Sequence, residues 1–201
     1  PEQWANVFWT GESKINFHGS DGIHYVWKKS SKTITSRDVI PTLKFGGGKV
    51  LFWGGFCKSG VGDLILIEGN MDANMYIDIL RQGCFSSLEI LGLDSSKIVL
   101  MQDNDPKHKA KKTMEYLKSQ RIETLEWPPQ SPDINPIENL WFVLKKRVYN
   151  YASPPKTKAE LFTRCVEVWN SITKKECEDL VNSVPKRIEA VIAAKGGYTK
   201  Y

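Results

Sequence analysis

The chain has 201 residues, 41% of them hydrophobic and 11% aromatic, which is enough apolar material for one sizeable core in a single domain and too much for disorder over most of its length. Its formal net charge of +5 favours an anionic partner, because lysines and arginines that neutralise phosphates release counterions. No run of about 18 apolar residues occurs and Pro1-Glu2-Gln3-Trp4 has neither a basic nor an apolar leader character, so nothing supports membrane insertion or secretion. An opening without Met is what a piece of a longer intracellular polypeptide would show.

In chain order, short strands are expected over 7–9, 15–17 and, after the turn Gly19-Ser20-Asp21-Gly22, over 23–27, an order that suits three antiparallel strands. A polar stretch over 30–38 leads to Gly46-Gly47-Gly48. Residues 50–53, Gly54-Gly55, a turn at Ser59-Gly60-Val61-Gly62 and residues 64–67 follow. So many glycines among β-type residues indicate a hairpin whose backbone lies close to something else. Helical spacing of Met75, Ile79 and Leu80 predicts a helix over 72–82, and the unbroken apolar run over 97–101 predicts a buried strand. A helix over 106–120 and a strand over 122–125 complete a parallel crossover, which argues for α/β.

The strongest helix is expected over 135–149. Asn135 can cap it, Pro136 suits its first turn, and Ile137, Leu140, Trp141, Leu144 and Val148 recur at 3.6-residue spacing. Capping-box patterns at Thr157-Lys158-Ala159-Glu160 and Thr173-Lys174-Lys175-Glu176 open two further helices, and a last helix is expected from Pro185 to the glycines at 196–197. The four cysteines, Cys57, Cys84, Cys165 and Cys177, are too widely spaced for a zinc site or a disulfide framework, so they read as reduced core thiols.

Two carboxylates stand where chemistry is expected. Asp103 ends the 97–101 strand at the carboxyl edge of the sheet, and Asp105, directly before Pro106, is the better helix cap, which frees Asp103. Glu138 falls in the first turn of the 135–149 helix, behind the rigid Trp127-Pro128-Pro129-Gln130-Ser131-Pro132. Hard divalent cations such as Mg²⁺ or Mn²⁺ take oxygen ligands from separate elements, and two ions about 3.5–4 Å apart can stabilise the attacking and leaving oxygens at phosphorus. A bridging carboxylate should then come from the end of the first strand. That place holds Gly11, and Glu12 beside it is expected to point to the opposite face. Basic residues cluster at Lys28-Lys29-Ser30-Ser31-Lys32, around Lys107, His108 and Lys109, and at Lys145-Lys146-Arg147, the last two sets close in sequence to the carboxylates.

The text Val7-Phe8-Trp9-Thr10-Gly11-Glu12-Ser13-Lys14, Gly46-Gly47-Gly48 with Trp53-Gly54, 101–108 around Asp103, Glu126-Trp127-Pro128, and 131–141 around Glu138 resembles the catalytic domain of Tc/mariner-superfamily transposases over essentially the whole chain. The 34 residues between Asp103 and Glu138 match the Asp-Asp-Glu branch of that superfamily. The resemblance implies an α/β, ribonuclease-H-like mixed sheet flanked by helices, over residues 1–201, with a Gly-rich hairpin insertion at about 41–68 and a helical C-terminal part. It implies two-metal cleavage and strand transfer with Mg²⁺ or Mn²⁺ on Asp103 and Glu138, double-stranded transposon-end DNA and TA targets as substrates, a homodimer in the DNA complex, and nuclear work. N-terminal DNA-reading domains would lie outside the chain. Lys107, His108, Lys109, Lys145, Lys146 and Arg147 become expected DNA contacts, and Gly46, Gly47, Gly48 and Trp53 an expected interface hairpin. Gly11 departs from the pattern, which has aspartate there, so cleavage is expected to be impaired. The alternative is a decayed or host-adopted DNA-binding or assembly module without catalysis.

Overall fold

The computed structural model describes residues 2–16, 49–197 and 199. The expected strand at 23–27, the basic cluster at 28–32 and Gly46-Gly47-Gly48 lie outside them. Strand β1 runs unbroken through Val7–Asn16, so the segment expected at 7–9 and residues 15 and 16 of the one expected at 15–17 belong to one element, Phe17 lying outside the described residues. Strands β2 (Lys49–Cys57) and β3 (Gly60–Ile67) pair with it in sequence, antiparallel, with Gly11 opposite Gly54 and Trp53 opposite Ile65. On the other side of β1, the short strands β4 (Val99–Met101) and β5 (Glu123–Thr124) run parallel, giving the order β3-β2-β1-β4-β5.

This order corrects the expected hairpin insertion. Residues 49–67 are the antiparallel half of the sheet itself, and Trp53, expected at an interface, is 0% exposed in the core. The glycine reading holds in another form, because an added Cβ on Gly55 would sit 2.4 Å from the Phe8 ring and on Gly54 2.9 Å from the Trp141 ring. These glycines are strand positions on which aromatic rings lie.

Alternation along β1 sends its two faces to different cores. Val7, Trp9 and Ile15 pack with helices α5 (Ile137–Tyr149), α6 (Lys158–Asn170) and α7 (Lys174–Ala193), while Phe8 packs with Tyr76, Ile79, Leu88 and Leu117. The second set comes from α1 (Ala73–Ile79), α2 (Phe85–Ile90) and α4 (Lys111–Ser119). Asp72 caps α1 by accepting from the N–H groups of Asn74 and Met75, and a π-helical turn over Leu80–Cys84 joins α1 to α2. The helix expected over 106–120 is two helices, α3 (Pro106–Lys109) and α4, because Ala110 is extended at ψ 138°. α7 is likewise one 20-residue helix with Pro185 inside, where a new helix was expected. Buried Val181 and Val184 hold its core face in line across the hydrogen bond that Pro185 cannot donate. Thr173 and Glu176 form the full capping box that starts it. All four cysteines are free and buried.

Candidate active site

Parallel pairing of Trp9 with Met101 brings Gly11 and Asp103, each two residues further on, to the same end of neighbouring strands. Asn135 then fixes the third element. Its Nδ2 donates to Thr10 O at 3.2 Å while its Oδ1 accepts from Ile137 N at 3.2 Å, so one side chain holds the first N–H of α5 and ties its first turn to β1. A cleft of about 420 Å³ results, bordered by Gly11, Glu12, Asp103, His108, Trp127 and Glu138.

Asp103 and Glu12 meet on His108. The imidazole is 2% exposed, with Nδ1 2.6 Å from Asp103 Oδ1 and Nε2 3.0 Å from Glu12 Oε1. Two nitrogens facing two carboxylate oxygens both donate only in the imidazolium form. Burial pulls the His108 pKa down, but the bonds to Asp103 and Glu12 outweigh it and the pKa is raised. The bond from His108 holds Asp103 down at about 2, against the opposing effect of partial burial. Asp103 Oδ1 also accepts from Asp105 N at 3.0 Å, so this oxygen is fully engaged while the side chain remains 58% exposed toward the cleft. Behind the ring, Tyr76 lies 4.1 Å away centroid to centroid and donates to Gln102 Oε1, whose amide donates to His108 O.

Glu12 therefore does not point away from the site, as strand alternation suggested. It does lie on the face opposite Gly11, but α3 reaches over the strand end and carries His108 across to it. The pairing of Gly11 with Gly54 is regular, so no bulge is involved. Glu138 keeps solvent contact within the cleft, yet the enclosing walls raise its carboxyl pKa, Lys145 opposes this, and the charges of Glu12 and Asp103 add to it.

The face of Gly11 is apolar. A Cβ there would stand 3.1 Å from Ile137 Cγ2 and 3.5 Å from Trp141 Nε1, whose N–H is buried without a partner among the described residues. Two carboxylates plus a glycine do not fit a pair of divalent ions that share a bridging carboxylate. Among the described residues no group of three or more His, Cys, Asp or Glu side chains is disposed to hold a metal ion.

The expected DNA contacts divide. Lys107 is tied to Asp105 Oδ2 at 2.6 Å and lies 3.9 Å from Glu12, and Arg147 binds Glu176. His108 is buried, with both ring nitrogens bonded to the carboxylates of Asp103 and Glu12. Lys109 and Lys146 are exposed, and Lys145 is half-buried beside Glu138. Nothing local marks Glu12 as a partner of Asp103, and the one signal for the Asn135 clamp is its place before Pro136.

A mixed five-stranded sheet flanked by helices, with acidic side chains gathered at the adjoining ends of β1 and β4, defines a ribonuclease-H-like domain. The solved structure of a Mos1 transposase paired-end complex with left transposon end superposes with TM-score 0.80 at 18% identity, over 97% of this chain and 56% of that one. The Mos1 transposase catalytic domain solved with Raltegravir and Mn matches at TM-score 0.73 and 16% identity, over 98% and 86%. The DDE superfamily endonuclease family matches residues 15–161, a span that contains Asp103 and Glu138 and begins after Gly11. The Tcb1 transposase of Caenorhabditis briggsae is 38% identical over 201 residues, all of this chain and 72% of that protein, and the Tc1 transposase of Caenorhabditis elegans is 36% identical with the same coverage. The chain belongs to the DDE superfamily endonucleases, as a transposase catalytic domain of the Tc1/mariner type. It spans a little over half the length of the Mos1 chain in the paired-end complex.

Proposed function

We propose that the domain descends from the nucleic-acid-cutting part of a cut-and-paste DNA transposase and that this chain cleaves DNA poorly or not at all, while keeping the surface that holds DNA. One observation carries the reading: the position level with Asp103 on β1 is Gly11, faced by a buried indole N–H that bonds to none of the described residues. Asp103, kept ionised by His108, and Glu138, set in place by Asn135, supply two of the three carboxylates that the chemistry needs. The Mos1 catalytic domain has been solved with Mn and with Mg, which supports a divalent ion as the cofactor of the complete site. Bound there, such ions would activate the attacking oxygen and stabilise the leaving one. This chain's own residues orient and charge Asp103, hold Glu138 at the start of α5 and present Lys145 beside it.

The substrate in this reading is double-stranded transposon-end DNA with TA target sites, engaged by a homodimer in the nucleus. Relatives solved as paired-end complexes support the DNA part. The test is a nicking assay on end-bearing duplex with Mg²⁺ or Mn²⁺. The native chain is expected to leave the duplex intact, and Gly11→Asp to gain both saturable Mn²⁺ binding by calorimetry and nicking. Robust cleavage by the native chain would overturn the claim of impairment, and Glu12→Gln would then show whether Glu12 stands in for the absent ligand.

A further inference from the structure

The solvent face of α5 carries three kinds of side chain in line. Glu138 sits in the first turn at the cleft, Phe142 stands one turn on and 67% exposed, and Lys145 and Lys146 follow within the next turn. The opposite face is filled by Ile137, Leu140, Trp141, Leu144 and Val148, so the core has no use for Phe142. Its benzyl group borders a second hollow of about 1070 Å³, shared with Glu138 and walled by the rigid 128–132 segment. Asp133 and Arg187 also border it. Both are committed within the protein, Asp133 accepting from Thr199 Oγ1 and Arg187 donating to Asp133 O and Asn139 Oδ1.

Resting on the DNA reading above, we propose that Phe142 is a stacking platform for an unpaired nucleotide at the edge of the cleft, with Lys145 and Lys146 neutralising the adjoining phosphates. Three to four residues of helix advance about 4.5–6 Å, roughly the backbone step of one extended nucleotide, so a phosphate held at Lys145 or Lys146 brings its neighbour's base over Phe142. Bases inside a duplex are already stacked on both faces, whereas an unpaired one offers a free face to an aromatic ring. An aromatic beside cations, here together on one face of α5, is the combination that binds single strands without reading their sequence. The hollow, rimmed by Pro128, Pro129 and Pro132, has room for such a base.

The experiment compares a blunt duplex with the same duplex bearing a short single-stranded extension, by fluorescence anisotropy with the 201-residue chain. The extension should tighten binding by the native chain, and Phe142→Ala should lose about fivefold or more of affinity for the extended duplex while its affinity for the blunt one stays the same. Phe142→Trp should keep the gain. An unchanged thermal melt of Phe142→Ala shows that the loss is local. Equal losses on both duplexes, or no loss on either, overturn the platform. Salt-dependent blunt-duplex binding without any gain from the extension sinks the platform alone, whereas binding of either duplex that ignores salt sinks the DNA reading with it.

Discussion

The two faces of β1 solve the same packing problem with opposite chemistry. Toward α1 and α3, Thr10 donates to Met101 O at 2.6 Å and Glu12 meets His108, in a network that runs on through Asp103, Gln102 and Tyr76. Toward α5, Trp9, Gly11 and Gly54 lie under indoles, with Trp141 and Trp169 stacked 5.1 Å apart, and the N–H groups of Trp9 and Trp141 have no partner among the described residues. One face of the site is held by charge and hydrogen bonds, and the other by shape. Gly11 stands on the shape-held face, where ring-on-glycine packing does not depend on a carboxylate.

The largest test of this contrast is Trp141→Ala, expected to lose about 3–5 kcal/mol in urea denaturation because the indole fills the space over two strands. A loss under about 1 kcal/mol would break the shape account. Next, Gly54→Ala should lose about 1–3 kcal/mol, since its Cβ would lie 2.9 Å from Trp141 and 3.2 Å from Trp169. Gly11→Ala should stay within about 1 kcal/mol of native, because only Ile137 has to give way. Equal losses at these paired glycines would remove the distinction between them.

The charge-held face is tested by pH. With its pKa raised above the ordinary 6.5, His108 adds stability that is fully present below 6.5 and is lost as pH rises through the folded value. Asp103, held at about 2 against an ordinary 3.8, adds stability present above 3.8 and lost as pH falls toward 2. Solvent screening limits the Asp103 part to about 1 kcal/mol or less. His108→Gln should cost about 1–3 kcal/mol near pH 6 and flatten the alkaline limb of the profile; an unchanged limb would show that the imidazolium bridge adds nothing. The smallest expected effect is that of Gly11→Asn, which offers Trp141 a neutral acceptor. Its indole proton should move downfield in the NMR spectrum, with a net gain of about 1 kcal/mol or less.

Most of the frame was legible in the sequence because it rests on local signals. The periodicity of 137–148, the cap at Thr173 and the apolar run before Asp103 each found their element. Readings failed where a distant partner decides the outcome. Glycines 54 and 55 signalled a close backbone approach but not what approaches, because the rings lying on them, Trp141 and Phe8, are far away in the chain. Pro185 looked like a helix start because the core contacts that carry α7 through it are tertiary. Glu12 was misjudged for the same reason, since alternation fixes its face but not the helix that arches over the strand end. At the site, the sequence pointed to Asp103, Glu138 and the gap at Gly11, and the structure gathers all three at one cleft. It gave no hint that a buried histidine joins Asp103 to Glu12.

The unequal room over the glycine pair has an evolutionary consequence. Gly54 cannot change without moving two indoles, so selection for folding alone keeps it and keeps the recess opposite. Gly11 carries almost none of that burden, and a single base change turns a glycine codon of the right form into an aspartate codon. On the reading proposed above, a single substitution at position 11 would complete an acidic triad, with one neighbouring side chain, Ile137, having to give way.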